Sequence, residues 1–156
     1  MKTLVLGIGN TLLSDEGIGI HVLEWLATEP LPNDVELLDG GTLSFSLAAP
    51  IADADALVVV DAANLKAAPG TLRVFEGEAM DAFLVGNRKS SVHEVGLTDL
   101  RAIALLEGYW PRHRALVAIQ PQLVDWGEAP TPAVAGAIPD AAGAVRDLIR
   151  RWHDAP

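Results

Sequence analysis

The stretch that most constrains this chain is TLVLGIGNTLLSDEGIGI, residues 3–20. Leu4, Val5 and Leu6 form a short apolar run that stops at Gly7 and Gly9, the pattern of a buried central strand whose chain turns over the sheet edge. Open α/β sheets bind ligands outside the carboxyl ends of their strands, where neighbouring connections run to opposite faces. The acidic pair Asp15-Glu16 follows the first strand and is therefore placed where such proteins keep their chemistry.

The rest of the chain continues the alternation. Residues 17–27 read as a helix with Ile18, Val22, Trp25 and Leu26 on one face, stopped by Pro30 and Pro32. Residues 35–38 are a second strand ending in Asp39-Gly40-Gly41-Thr42, where Asp39 braces the turn, and residues 43–51 a second helix. Residues 56–60, ALVVV, are β-branched and uninterrupted, as a parallel strand covered on both faces is, and they end in Asp61. Residues 71–75 make a shorter strand, antiparallel at an edge. Residues 76–89 lack periodicity and read as a long loop, a candidate for substrate discrimination.

Ser91, Val92, His93 and Glu94 have capping-box spacing ahead of a helix whose apolar face is Leu97, Leu100, Ile103, Ala104 and Leu106. Residues 115–119 form a fifth strand, and Pro139 opens a last helix running through Val145, Leu148, Ile149 and Trp152. Strands alternating with helices predict a single-domain three-layer α/β/α sandwich around a doubly wound, mostly parallel five-stranded sheet. The 156 residues, half of them hydrophobic, suit one core over 1–156 and are too few for two.

Charge and composition narrow the function. With 21 acidic against 11 basic residues the net charge is -10, which repels phosphate backbones and anionic lipid surfaces and points away from nucleic acid and membrane partners. Cysteine is absent, so thiolate ligands and nucleophiles are excluded and any metal must use oxygen and imidazole donors. Neither a secretory leader nor an apolar run of bilayer length is legible, and the expected location is the cytoplasm.

The familiar motifs fail one by one. A dinucleotide fingerprint needs a third glycine where Leu12 stands; the Gly-Lys-Ser/Thr ending of a phosphate loop and the G-x-S-x-G elbow are missing. His93-Glu94 begins like a zincin helix, but Leu97 occupies the second histidine's place. What remains is a constellation: Glu16 after the first strand, Asp61 ending the third, and His93 ahead of a helix. If strands one and three are neighbours, Glu16 and Asp61 face one crevice, and His93 lies on the same edge. Two carboxylates and an imidazole make an open site for a divalent transition ion, or an acid-base set for a water.

Plainer readings stand beside these. Glu16 is also a first-turn acid suited to a helix dipole, Asp61 a turn former, and His93 a structural histidine. Asp15 is an understudy to Glu16, and Glu94 is the capping-box acid. His21, His113 and His153 read as structural or solvated, Trp25 and Trp152 as core-facing, and Arg146, Arg150 and Arg151 as a solvated basic face at the last helix's end.

Taken together, LGIGNTLLSDEGIG, the DGGT after the second strand, VVVDAA, SVHEVGLTDL and the late IQP followed by Pro-Ala-Val resemble the hydrogenase maturation endopeptidases, collinearly and over nearly the whole chain. Those proteases trim the C-terminal extension of nickel-iron hydrogenase large subunits. The resemblance implies an α/β sandwich, with Glu16, Asp61 and His93 as the residues that contact nickel carried by the substrate precursor. It implies cleavage that reports completed nickel insertion, with no organic cofactor, by a protein expected to be a monomer. Of the two carboxylates Asp61 is the preferred base, because an acid ending a buried strand is the better placed for a raised pKa. Two other readings compete: a non-catalytic nickel checkpoint or chaperone module of the same fold, and a nucleotide-binding domain built on the Gly7/Gly9 turn.

Overall fold

A computed structural model describes residues 1–42, 44–87 and 96–154. Five strands, β1 (Thr3–Gly7), β2 (Val35–Asp39), β3 (Ala56–Ala62), β4 (Leu72–Glu76) and β5 (His113–Ile119), form one sheet in the order β2-β1-β3-β5-β4. All pairings are parallel except β4 with β5. The two halves wind outward from β1 and β3, which are neighbours as the doubly wound reading requires. His113, expected before the fifth strand, is its first residue.

Side-chain alternation divides the central strands between two cores. Val5, Val58, Val60, Val117 and Ile119 face one side, and Leu4, Leu6, Leu57, Val59 and Leu116 the other. The first side is closed by α1 (Ile18–Leu26) and by the long α6 (Ile138–Asp154), whose Ala141, Ala142, Val145, Leu148, Ile149 and Trp152 make a continuous buried stripe. The second is closed by α2 (Ala48–Ala52), α3 (Glu78–Gly86) and α4 (Leu97–Glu107); a single turn, α5 (Pro132–Ala135), leads into α6.

Several sequence expectations are corrected here. Residues 76–89 are not one loop: nine of them form α3, held to the core by Met80 and Leu84 four residues apart, too few apolar positions for a visible period. Trp25 is about half exposed, because Ile20 and Leu23 are also buried and shift the inward arc of α1 away from it. Leu106 lies on the opposite side of α4 from the buried Leu97, Leu100 and Ala104 and is almost fully exposed. Helix α4 starts at Leu97, and its first turn is closed by Asp99, which accepts from the Gly96 amide at 2.8 Å. The expected capping box at 91–94, with His93, lies outside the described residues. Arg146 is no solvated face residue: its guanidinium donates to the Leu26, Glu29 and Pro30 carbonyls and closes the end of α1.

Candidate active site at the carboxyl ends of β1 and β3

Two glycines set the geometry. Gly9 has φ +137°, and a Cβ there would lie 1.8 Å from the Glu16 carbonyl oxygen, so only glycine lets the loop after β1 close back on itself. A Cβ on Gly19 would meet the Val60 and Ile8 carbonyl oxygens at 2.3 and 2.5 Å. The start of α1 therefore lies directly against the ends of β1 and β3, with the Ile8 amide donating to Val60 at 3.0 Å. A 3-10 turn, Ser14–Gly17, fills the space between loop and helix and carries Glu16, whose amide donates to the Leu13 carbonyl at 3.1 Å.

Asp61 follows Val60, and strand alternation turns it toward the second face with Leu57 and Val59. Glu16 and Asp61, both half-buried, line one cavity of about 480 Å³ with Ile8, Gly9, Thr42 and Asn64. Its far wall is built from Leu84 and Asn87 of the α3 end and from Gly96, Leu97 and Thr98 at the start of α4. The cavity is thus bounded on both sides of the segment that contains His93, which itself lies outside the described residues. Polar groups that sequence reasoning missed are Asn64, Asn87 and Thr98; Thr98 also donates to the Leu84 carbonyl at 3.2 Å, tying α4 to α3. None stands in a motif, and only Asn64, three residues after Asp61, carried a positional signal.

Asp15 is not an understudy to Glu16. It is fully buried and points away into the protein, accepting from the amides of Gln122 (2.8 Å), Leu123 (2.9 Å) and Thr131 (2.6 Å) and from the Thr131 hydroxyl. Burial pushes its pKa up, but the amides of Leu123, Thr131 and Gln122 and the Thr131 hydroxyl outweigh that and hold the carboxyl below its ordinary range. The same bonds fasten residues 122–131 to the loop that bears Glu16. Ser14, at φ +50°, extends the seam: its amide donates to Gly127 at 2.8 Å and its hydroxyl to Asp125 at 2.9 Å. Asp39 accepts from the Gly41 amide at 2.8 Å and braces its turn as expected.

A family model for hydrogenase maturation protease matches residues 20–147 of this sequence. The chain belongs to the hydrogenase maturation protease family. It is 45% identical over 154 residues to the hydrogenase expression/formation protein HupD of Rhodobacter capsulatus, covering 97% of this chain and 72% of that one. It is 36% identical to the hydrogenase 2 maturation protease of Escherichia coli, covering 96% and 92%. The solved structure of the hydrogenase maturating endopeptidase HybD from E. coli superposes with a TM-score of 0.89 at 36% identity, over 97% of this chain and 94% of that one. A hydrogenase maturation protease is a hydrolase of peptide bonds, and Glu16 and Asp61 sit in this one where an open α/β sheet presents reacting groups.

Proposed function

We propose that this protein is the endopeptidase that removes the C-terminal extension from a nickel-iron hydrogenase large-subunit precursor once nickel has been inserted. The observation that carries the reading is the convergence of Glu16 and Asp61, from the ends of β1 and β3, on one cavity. Among the described residues no group of three His, Asp or Glu side chains can hold an ion unaided. The set is completed by His93 and by the donors that the substrate brings with its nickel. His93 stands three residues before Gly96 in the sequence, and Gly96 lines the cavity.

Nickel is part of the substrate here. An ion held by the precursor and approached by Glu16, Asp61 and His93 orients the cleavage segment and polarises the scissile carbonyl. Asp61 takes a proton from water as the water oxygen adds to the carbonyl carbon. The carbon-nitrogen bond then breaks, and the proton passes to the departing amine, leaving a new carboxylate on the subunit. Precursor without nickel presents no ion to this set and is not cut. The cytoplasm is the compartment for this activity, and the protein acts as a monomer.

The test is mass spectrometry of precursor incubated with the purified protein, with and without nickel. Release of a C-terminal peptide from the nickel-loaded form alone is expected, and Glu16→Ala, Asp61→Ala and His93→Ala variants should each lose it. Asp61→Asn should still bind precursor but cut at least about a hundredfold more slowly. Wild-type processing by that variant removes Asp61 from the base role, and precursor that binds yet stays intact with wild-type protein makes this a checkpoint module instead.

A further inference from the structure

Beside the cavity lies a surface that the hydrolytic reading does not use. Leu12, Leu123, Val124 and Trp126 are 50, 45, 55 and 77% exposed, and the last three stand within four residues of one another. The Gly127 amide donates to the Leu12 carbonyl and the Asp15 amide to Leu123, so both loops form one shelf. Both loops border the cavity: Gly9 and Glu16, on either side of Leu12 in the chain, and Pro121, two residues before Leu123, line its wall. Residues 8–14 and 121–127 contain no lysine or arginine, and Asp125 is their one charged side chain.

We propose, resting on the protease reading, that this shelf is the docking surface for an apolar stretch of the precursor polypeptide lying next to the bond that is cut. A cavity of 480 Å³ encloses a molecule of drug size, a few residues of chain, and gives a protease little hold on a protein substrate. The shelf stands next to that cavity in the chain, through Gly9, Glu16 and Pro121 of its lining, and offers a tryptophan, one of the side chains enriched among binding hot spots. It is also held ready. The buried Asp15 carboxylate fixes Gln122, Leu123 and Thr131, and Ser14 fixes Asp125 and Gly127. Binding on a fixed surface loses little loop entropy. In a chain of net charge -10, a mostly apolar shelf without a basic residue selects a partner segment by its hydrophobicity, and Asp125, between Val124 and Trp126, disfavours acidic neighbours.

The experiment is steady-state processing of nickel-loaded precursor by wild-type protein and by Trp126→Ser and Leu12→Ser/Trp126→Ser variants, over a range of precursor concentrations. The expected result is a KM raised about tenfold or more in the double variant, with kcat within twofold of wild type and an unchanged melting temperature. An unchanged KM overturns the proposal while leaving the protease reading intact. Failure of the wild-type protein to cut any loaded precursor removes the protease reading itself. Sedimentation of the wild type alone completes the test: a concentration-dependent dimer abolished by Trp126→Ser would assign the shelf to a second copy of this chain and overturn the proposal.

Discussion

The two faces of the sheet are closed in different ways. On the first, α1 and α6 lie along the strands and bury apolar stripes, and the one long helix contributes six buried residues. On the second, helices of five, nine and eleven residues cover the same strands in pieces, with Ile51, Met80, Leu84, Leu97 and Leu100 as separate pegs. The second face relies on a polar clip: Asp81 accepts from Arg114 at 2.6 and 3.0 Å and from the Trp110 indole at 3.1 Å, with Arg101 beside it. The cavity opens on this second face. A continuous helical cover leaves no room for a substrate, whereas a cover assembled from short pieces leaves gaps between them.

The largest expected effect that sharpens this contrast is on the first face. Trp152→Ala removes a buried aromatic whose indole also donates to Glu76 at 3.1 Å, and should lower stability by ~3–5 kcal/mol in urea unfolding. A loss under 1 kcal/mol would show that α6 is not the main closure of that face. Next is Asp81→Ala, which takes the carboxylate acceptor from the Arg114 guanidinium and the Trp110 indole and the ion-pair partner from Arg101, and should cost ~2–4 kcal/mol. If the polar clip is what holds the second face, amide exchange in α3 and α4 should quicken far more than in α6; uniform quickening would break the comparison.

Smaller is Asp15→Asn, which substitutes a donor group for one of the carboxylate oxygens and should cost ~1–3 kcal/mol. Its effect has a pH signature. Because the folded carboxyl lies below its ordinary range, its stabilisation is complete above the unfolded value near pH 4 and is lost as pH falls through the folded value. Burial likewise raises the Asp81 pKa, and the Arg114 and Trp110 bonds with the Arg114 and Arg101 charges more than reverse it, so this group adds acid sensitivity of the same sign. Between pH 7 and pH 3 the Asn variant should therefore lose less stability than wild type; parallel curves would deny Asp15 its charge.

How much of this was legible follows the same division. ALVVV and the α6 stripe announce themselves because every inward position is apolar and the period runs unbroken. Helix α3 does not, since Met80 and Leu84 are its only fully inward residues and Val85 between the periods is exposed. That Glu16 and Asp61 meet at one cavity was legible because one follows the short apolar run of β1 and the other stands directly after the apolar run ALVVV, at the end of β3. Asp15 was misread because its four donors lie 107 to 116 residues away, where no local pattern reaches. Trp126 stands in a turn where composition gives no hint of a surface.

Among the described residues strand β4 pairs with β5 alone, antiparallel, and β5 begins at His113, well beyond the last residue of β4, Glu76. On the ribosome, at about 5–20 residues per second, β4 waits on the order of seconds for its partner. Meanwhile β1, β2 and β3 are already available to one another. Until β5 is made, β1 and β2 can pair and β3 can pair only with β1, so β3 keeps an open edge. Val58, Val59 and Val60 stand on that edge, the positions that Ala115, Leu116 and Val117 of β5 later pair with.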